Sequence, residues 1–167
     1  MRKMTEENLK NAFAGESQAH MKYLAFAEKA ESEKRPNTAR LFRANSYAEQ
    51  VHAVNHLRTL SGIKTTLDNL REAVEGENFE VEEMYPAYIS IAVEQGEKGA
   101  ERATRWALAA EKVHSGFYQK ASESVAAGKD ADFGAIQVCS VCGWTGEGEA
   151  PDTCPVCGSP KTKFKEF

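Results

Sequence analysis

The sequence predicts an all-α four-helix bundle followed by a small C-terminal β-rich metal domain. Residues 4–127 are rich in Ala, Glu, Leu, Lys and Arg, and helix-breaking residues interrupt them near 32–37, 61–65 and 96–99. Four long helices remain between these breaks. All four cysteines fall within the last thirty residues, in two Cys-x-x-Cys pairs.

The composition divides the chain into a helical domain at 1–128, a polar linker at 129–137 and a Cys-, Gly- and Pro-rich domain at 138–167. A domain of about thirty residues cannot bury an adequate apolar core by itself. We therefore expect a bound metal to hold the C-terminal domain together.

Charge and hydropathy exclude two classes of partner. The net charge is -4 and the Lys and Arg residues are scattered, so no basic surface for nucleic acid is expected. No stretch approaches the roughly 18 apolar residues of a membrane span, and the first residues form no signal peptide. Because both cysteine pairs are suited to metal rather than to disulfides, we expect a cytoplasmic protein.

Each predicted helix carries a glutamate within its apolar stripe. An ionised carboxylate in an apolar core requires a cation, and no Lys or Arg lies on these stripes. In the first helix Glu16 shares its stripe with Ala12, Tyr23 and Ala27, and in the second Glu49 shares its stripe with Phe42 and Ala53. In the third helix Glu80 lies in line with Met84, Ala87 and Ile91, and in the fourth Glu111 lies in line with Ala107 and Tyr118.

Two of the four glutamates are followed by a histidine three residues later, as Glu49-x-x-His52 and Glu111-x-x-His114. This spacing puts both side chains on one helix face, where they can bind one metal ion. A Glu from each of two helices plus Glu-x-x-His from the other two is the ligand set of di-iron and di-manganese bundles. The sequence therefore predicts a dinuclear centre.

The third helix offers an additional carboxylate, because Glu77 precedes Glu80 by one turn. Glu94 and Glu97 have the same spacing, but Glu94 lies about 21 Å further along the helix axis, so we interpret that pair as a solvated helix end. Proline at position 86 predicts a kink one turn beyond the ligands.

Four other side chains lie near these positions without being predicted ligands. His20 and His56 are interpreted as partly buried residues hydrogen-bonded to neighbours. Tyr23 and Tyr85 are candidates to donate hydrogen bonds to the ligand carboxylates.

The C-terminal domain contains two matched loops, Cys139-x-x-Cys142-Gly and Cys154-Pro-x-Cys157-Gly. Four thiolates in this pattern predict a tetrahedral S4 site. The spacing fits either a structural zinc ribbon or a one-iron Fe(Cys)4 redox centre. Beside a dinuclear bundle that can undergo redox chemistry, iron is favoured.

Taken together, these motifs resemble the rubrerythrin family over essentially the whole chain. Further shared features are the opening Ala14-Gly15-Glu16-Ser17 and the run Met84-Tyr85-Pro86 after Glu80. The resemblance implies a ferritin-like bundle, a rubredoxin-like domain, and a non-haem iron peroxidase that reduces hydrogen peroxide to water and protects against oxidative stress.

The resemblance also implies roles for the ligands. Glu49 and Glu111 would bridge two irons, with Glu16 on one iron and Glu77 and His114 on the other. Glu80 and His52 would then alternate as ligands of one iron with its oxidation state.

The resemblance implies an electron donor protein, such as rubredoxin or its reductase, and a homodimer in which each Fe(Cys)4 centre serves the partner's di-iron site. Apolar residues around the second helix, including Leu41, Tyr47 and Val51, agree with a second buried interface. Two alternatives stay open: a ferroxidase or iron-storage bundle, and a non-enzymatic metal-binding module with a structural zinc ribbon.

Overall fold

The computed structural model describes residues 1–167 and separates into two compact units, Met1–Lys64 and Thr65–Phe167. The predicted fold class is confirmed, because long helices occupy most of residues 3–126 and a small three-stranded sheet lies next to the four cysteines. None of the helices is both long enough and apolar enough to cross a membrane.

The first unit is a hairpin of two helices, α1 (Lys3–Ser32) and α2 (Pro36–Thr59). Lys34 adopts a φ of 59°, and the N–H of Arg35 donates to the carbonyl of Ala30, which closes the end of α1. Proline at the first helical position then starts α2. Small side chains fill the core of this unit and allow close approach of the helices: Ala27, Ala30, Ala39, Ser46 and Ala53.

The second unit begins with another helical hairpin. Its first arm is one continuous helix made of α3 (Thr66–Phe79), a π-helical turn (Glu80–Met84) and α4 (Tyr85–Glu94). A turn at Gly96, which has a φ of 71°, leads into the second arm, α5 (Lys98–Ala126). The three helix breaks predicted from the sequence are thereby confirmed.

The helix irregularity predicted from Pro86 is a π-helical turn, which lies just before the proline at Glu80–Met84. In a regular α-helix Pro86 would leave the carbonyl of Glu82 without its N–H donor, and the proline ring would clash with that carbonyl. Widening the turn at Glu80–Met84 removes the clash. The irregularity therefore starts at a predicted ligand, Glu80, rather than one turn beyond it.

Three short antiparallel strands form the C-terminal sheet, in the order β2-β1-β3. They are β1 (Ile136–Cys139), β2 (Thr145–Glu147) and β3 (Phe164–Glu166). Strand β1 begins two residues before the predicted domain start at 138. The division into 1–128, 129–137 and 138–167 itself stays a prediction.

The sheet packs against α5 of the same unit. The rings of Phe117 and Phe133 lie 5.5 Å apart, and Lys120 Nζ lies 3.2 Å from a carboxylate oxygen of Glu147. This packing brings Thr145, the first residue of β2, next to the helix that carries His114.

Candidate metal centres

The four cysteine sulfurs form a compact cluster in the C-terminal domain. The Sγ atoms of Cys139 and Cys157 are 3.7 Å apart, and those of Cys142 and Cys154 are 3.6 Å apart. A tetrahedron with metal–sulfur bonds of about 2.3 Å has edges of about 3.8 Å. Both distances fit the edges of such a tetrahedron, and all four sulfurs lie within 4.8 Å of one another, so the cluster is suited to a tetrahedral metal ion.

The surroundings of the cysteine loops favour a thiolate at Cys157 and bring the loops around the four sulfurs. Hydrogen bonds from the hydroxyl and the backbone N–H of Ser159 lower the pKa of Cys157 to about 6, while burial raises the pKa of Cys142. Gly143 and Gly158, with φ values of 81° and 75°, allow each loop to turn back over the sulfurs. A metal ion would replace the protons that this group of thiols otherwise shares.

The first helical hairpin carries one group of possible ligands, formed by Glu16, Glu49 and His52, which we call the first triad. His52 Nδ1 lies 3.0 Å from a carboxylate oxygen of Glu49 and 3.7 Å from one of Glu16. The residues come from the middle of α1 and α2, as the sequence predicts. The side chain of His52 is 54% exposed, so this triad is open to solvent.

The second unit carries the matching group, formed by Glu77, Glu111 and His114, which we call the second triad. His114 Nδ1 lies 2.6 Å from a carboxylate oxygen of Glu111 and 4.0 Å from one of Glu77. The two triads have the same composition, one lone glutamate beside one Glu-x-x-His pair. The sequence predicts the Glu-x-x-His pair of each triad, whereas the lone glutamate of the second triad is Glu77 rather than Glu80, the residue on the apolar stripe.

An unsatisfied buried carboxylate in the second triad supports cation binding. Glu77 Oε2 is buried and has no hydrogen-bond partner. Burial, together with the nearby carboxylates of Glu111 and Glu80, raises the pKa of Glu77 to about 7. A divalent cation would neutralise these carboxylates and satisfy that oxygen.

The remaining predicted residues lie close to the second triad or pack in the first unit. Burial and the charge of Glu111 raise the pKa of Glu80, and burial with the charges of Glu80, Glu111 and Glu77 raises that of Tyr85. Tyr85 thus stays protonated beside the carboxylates. The ring of Tyr23 packs against those of Phe26 and Phe42. The ligand and hydrogen-bonding roles of all these residues stay predictions.

Sequence reasoning misses Thr145, whose side chain is buried and contacts a predicted ligand. Its Oγ1 lies 2.8 Å from His114 Nε2 and donates to the carbonyl of Gly143 at 3.1 Å. This contact orients the His114 ring and turns its Nδ1 toward Glu111. No helical or cysteine spacing indicates this contact, because it joins two separate motifs.

Sequence reasoning also misses Asn78, whose side-chain oxygen accepts a hydrogen bond from Ser115 Oγ at 2.6 Å, between the two arms of the second hairpin. The interpretation of His20 as a hydrogen-bonded structural residue is confirmed. Its Nδ1 lies 2.9 Å from both the hydroxyl and the carbonyl oxygen of Ser46.

Family models match both the helical part of the chain, which carries the two triads, and the four-cysteine domain. The family model "Rubrerythrin" matches residues 7–122, and "Rubrerythrin, rubredoxin-like domain" matches residues 137–165. Rubrerythrin-2 of Clostridium acetobutylicum is 41% identical, with 98% of this chain and 97% of that protein aligned. Nigerythrin of Nitratidesulfovibrio vulgaris is 34% identical, with 98% and 86% aligned.

Solved structures agree with the sequence comparison. Nigerythrin in a fully reduced, all-ferrous state has a TM-score of 0.57 at 33% identity, with 98% of this chain and 86% of that chain covered. A partially reduced nigerythrin structure has the same TM-score, identity and coverage. With two family models spanning both domains and relatives aligned over nearly their whole length, the chain belongs to the rubrerythrin family.

Proposed function

We propose that the protein is a non-haem di-iron peroxidase that reduces hydrogen peroxide to water with electrons delivered through an Fe(Cys)4 centre. The observation that carries the proposal is the His114–Thr145 hydrogen bond, which joins a predicted iron ligand to the four-cysteine domain. Carboxylate and imidazole donors suit iron, and four thiolates suit a one-electron iron centre. An iron-storage protein would need no such redox domain.

Seven side chains would hold the two bundle irons: Glu16, Glu49, His52, Glu77, Glu80, Glu111 and His114. Glu49 and Glu111 would hold both irons, as the family resemblance implies. Glu80 and His52 would alternate as ligands, and the π-helical turn at Glu80–Met84 supports a functional role for Glu80, because such turns are frequent at functional sites. The four cysteines would hold the third iron.

Reduction of peroxide needs two electrons and two protons for each molecule, which then yields two molecules of water. Two ferrous ions held by these side chains would supply the two electrons. Carboxylates near the site would relay the protons. Tyr85, which keeps its phenolic proton beside them, can donate a hydrogen bond to a ligand carboxylate.

Electrons would return to the bundle through Thr145. From Cys142 the chain continues into Gly143, whose carbonyl accepts from the Thr145 hydroxyl, and Thr145 Oγ1 lies 2.8 Å from His114 Nε2. An apolar cavity of about 330 Å³ adjoins this contact and is lined in part by Leu70, Phe117, Phe133 and Ile136. An external donor such as rubredoxin or its reductase would reduce the Fe(Cys)4 centre in turn, in the reducing cytoplasm.

Replacing Thr145 with valine is expected to slow oxidation of the reduced Fe(Cys)4 centre by about 10- to 100-fold, because His114 loses the hydrogen-bond partner that orients its ring. Stopped-flow absorption after mixing reduced protein with peroxide would measure this rate. Thr145→Ser, which keeps the hydroxyl, should behave like the wild type. A Thr145→Val rate equal to that of the wild type, with unchanged iron content, would exclude this route.

The function is tested by measuring iron and zinc per chain and then comparing turnover with peroxide and with oxygen. Close to three irons, with faster turnover of peroxide, is the expected result. Faster reaction with oxygen, without turnover of peroxide, would instead indicate a ferroxidase. Two irons and one zinc would make the C-terminal domain structural, and absence of iron from the bundle would refute the redox function.

A further inference from the structure

A groove of about 530 Å³ lies beside the second cysteine loop, along the first half of α5. One of its walls is formed by Pro155 and Val156, the two residues between Cys154 and Cys157. The residues of α5 that form the other wall are spaced three or four apart, which places them on one helix face. They are Lys98, Glu101, Arg102, Arg105, Trp106 and Ala109.

Positive charge dominates this groove although the chain as a whole is acidic. Lys98, Arg102 and Arg105 line it with Glu101 as the one acidic residue, whereas the net charge of the chain is -4. A local excess of cations in a cleft attracts acidic surfaces and raises the rate of encounter with them. Charge complementarity therefore favours an acidic partner.

Glu101 positions two of the cations without cancelling them. Its carboxylate accepts hydrogen bonds from Lys98 Nζ at 3.1 Å and from Arg105 Nε at 3.0 Å, and these bonds hold the pKa of Glu101 below its ordinary value. The side chains of Lys98 and Arg105 stay 82% and 55% exposed. One carboxylate between two cations leaves a net positive charge, which faces solvent.

Arg102 adds a third cation, and this one has no acidic partner. Its guanidinium carbon lies 5.6 Å from the centroid of the Trp106 ring, a cation–π contact on the face of α5 that lines the groove. Trp106 is half-buried, and together with Pro155 and Val156 it supplies apolar surface beside the charges. Aromatic and arginine side chains are enriched in protein interfaces.

The exposure of these side chains fits a protein surface better than a small anion. A site for a small anion would enclose it with buried donors, whereas all three cations of the groove are exposed. Solvated cations around a small apolar area instead suit a brief encounter between two proteins, as in electron transfer. The partner that fits is therefore an acidic electron carrier.

The groove and the contact with the bundle lie at different cysteine loops. Thr145, which contacts His114, follows the first loop, whereas Pro155 and Val156 lie within the second. Sulfurs of the two loops approach each other to 3.6 and 3.7 Å, so one metal ion would be bound by both loops. An electron could thus enter through the second loop and leave through the first.

We propose that this groove is the docking site of an acidic one-electron carrier protein, an inference that rests on the proposed function. Acidic side chains of the carrier would contact Lys98, Arg102 and Arg105, and its redox centre would lie near Pro155 and Val156. At each encounter the carrier loses one electron to the ferric Fe(Cys)4 centre and dissociates in its oxidised form. Two encounters replace the two electrons that one peroxide molecule takes.

Removal of charge from the groove tests the docking site. The variant Arg102→Gln/Arg105→Gln removes two of its cations, and Lys112→Gln/Lys129→Gln is the matched control, because it removes the same charge from exposed positions outside the groove. The probe is an acidic rubredoxin in which zinc replaces iron. Its dissociation constant, measured by isothermal titration calorimetry, reports binding without electron transfer.

The groove variant should bind the zinc-substituted rubredoxin about 10-fold more weakly than the wild type at about 20 mM salt, and the difference should shrink at about 0.5 M salt, where the charges are screened. The control should bind within about twofold of the wild type, because its charges lie outside the contact. Equal binding by the groove variant and the control, or no binding by the wild type, would overturn the docking site.

Stopped-flow reduction of the protein by reduced iron rubredoxin supplies a second measurement. Its second-order rate constant should fall about 10-fold in the groove variant at low salt and stay near the wild-type value in the control. Equal rate constants in the two variants would refute electron entry at the groove. Loss of peroxide turnover in a wild-type protein that still binds the zinc-substituted rubredoxin through the groove would count only against the proposed function.

Discussion

Replacing Cys154 with serine is expected to reduce donor-driven peroxide turnover by about 100-fold or more, because the C-terminal domain loses its metal and with it most of its stability. Cys154 is buried, and its sulfur lies 3.6 Å from that of Cys142. Loss of the domain would also remove Thr145 from His114. The bundle, in contrast, should keep its two irons.

The decisive measurement for this variant combines two assays. Steady-state turnover with an external donor should be lost, whereas a single oxidation of the chemically reduced bundle by peroxide should persist. Val141→Ser is the matched control, because it places serine at an exposed position of the other cysteine loop without removing a ligand. Full donor-driven turnover in Cys154→Ser would show that electrons reach the bundle without the cysteine domain.

Local spacing is sufficient to predict the Glu-x-x-His pair of each triad and the cysteine cluster. In an α-helix, positions three residues apart share a face, so the contacts of Glu49 with His52 and of Glu111 with His114 follow from the sequence. The cysteine loops are equally local, since each Cys-x-x-Cys-Gly turn presents two sulfurs by itself. Features that depend on one short segment can thus be predicted from the sequence without knowledge of the tertiary structure.

Which glutamate of the third helix joins the second triad depends on the local helix geometry. Helical periodicity at 100° per residue favours Glu80 as the central carboxylate of the third helix. In the structure Glu77 joins Glu111 and His114 in the second triad, and Glu80 begins the π-helical turn. A uniform helical period cannot place residues beyond a turn of different geometry.

The division of the ligands between two compact units could not be predicted from the stripes. Periodicity assigns Ile91 and Tyr118 to apolar faces but does not identify what covers them. The contact of Thr145 with His114 is likewise a tertiary feature, determined by how β2 packs on α5.

Replacing Glu111 with alanine is expected to lower the iron content from about three to about one per chain and to abolish peroxide turnover. Glu111 lies 2.6 Å from His114 Nδ1, and its charge raises the pKa values of both Glu77 and Glu80. Glu123→Ala, on an exposed part of the same helix, should keep all three irons. Retention of bundle iron in Glu111→Ala would remove Glu111 from the ligand set.

Stability of the metal-free protein distinguishes loss of a ligand from loss of the fold. Glu77 has a folded-state pKa of about 7 against an ordinary value of 4.5, so the folded state binds the extra proton and loses stability as pH rises through that interval. Removing Glu111 removes part of this repulsion. Metal-free Glu111→Ala should therefore be more resistant to thermal unfolding than the metal-free wild type, with a larger difference at pH 8 than at pH 5. A variant that binds less iron but folds more stably can have lost only a ligand, whereas lower stability at both pH values would indicate that Glu111 supports the fold itself.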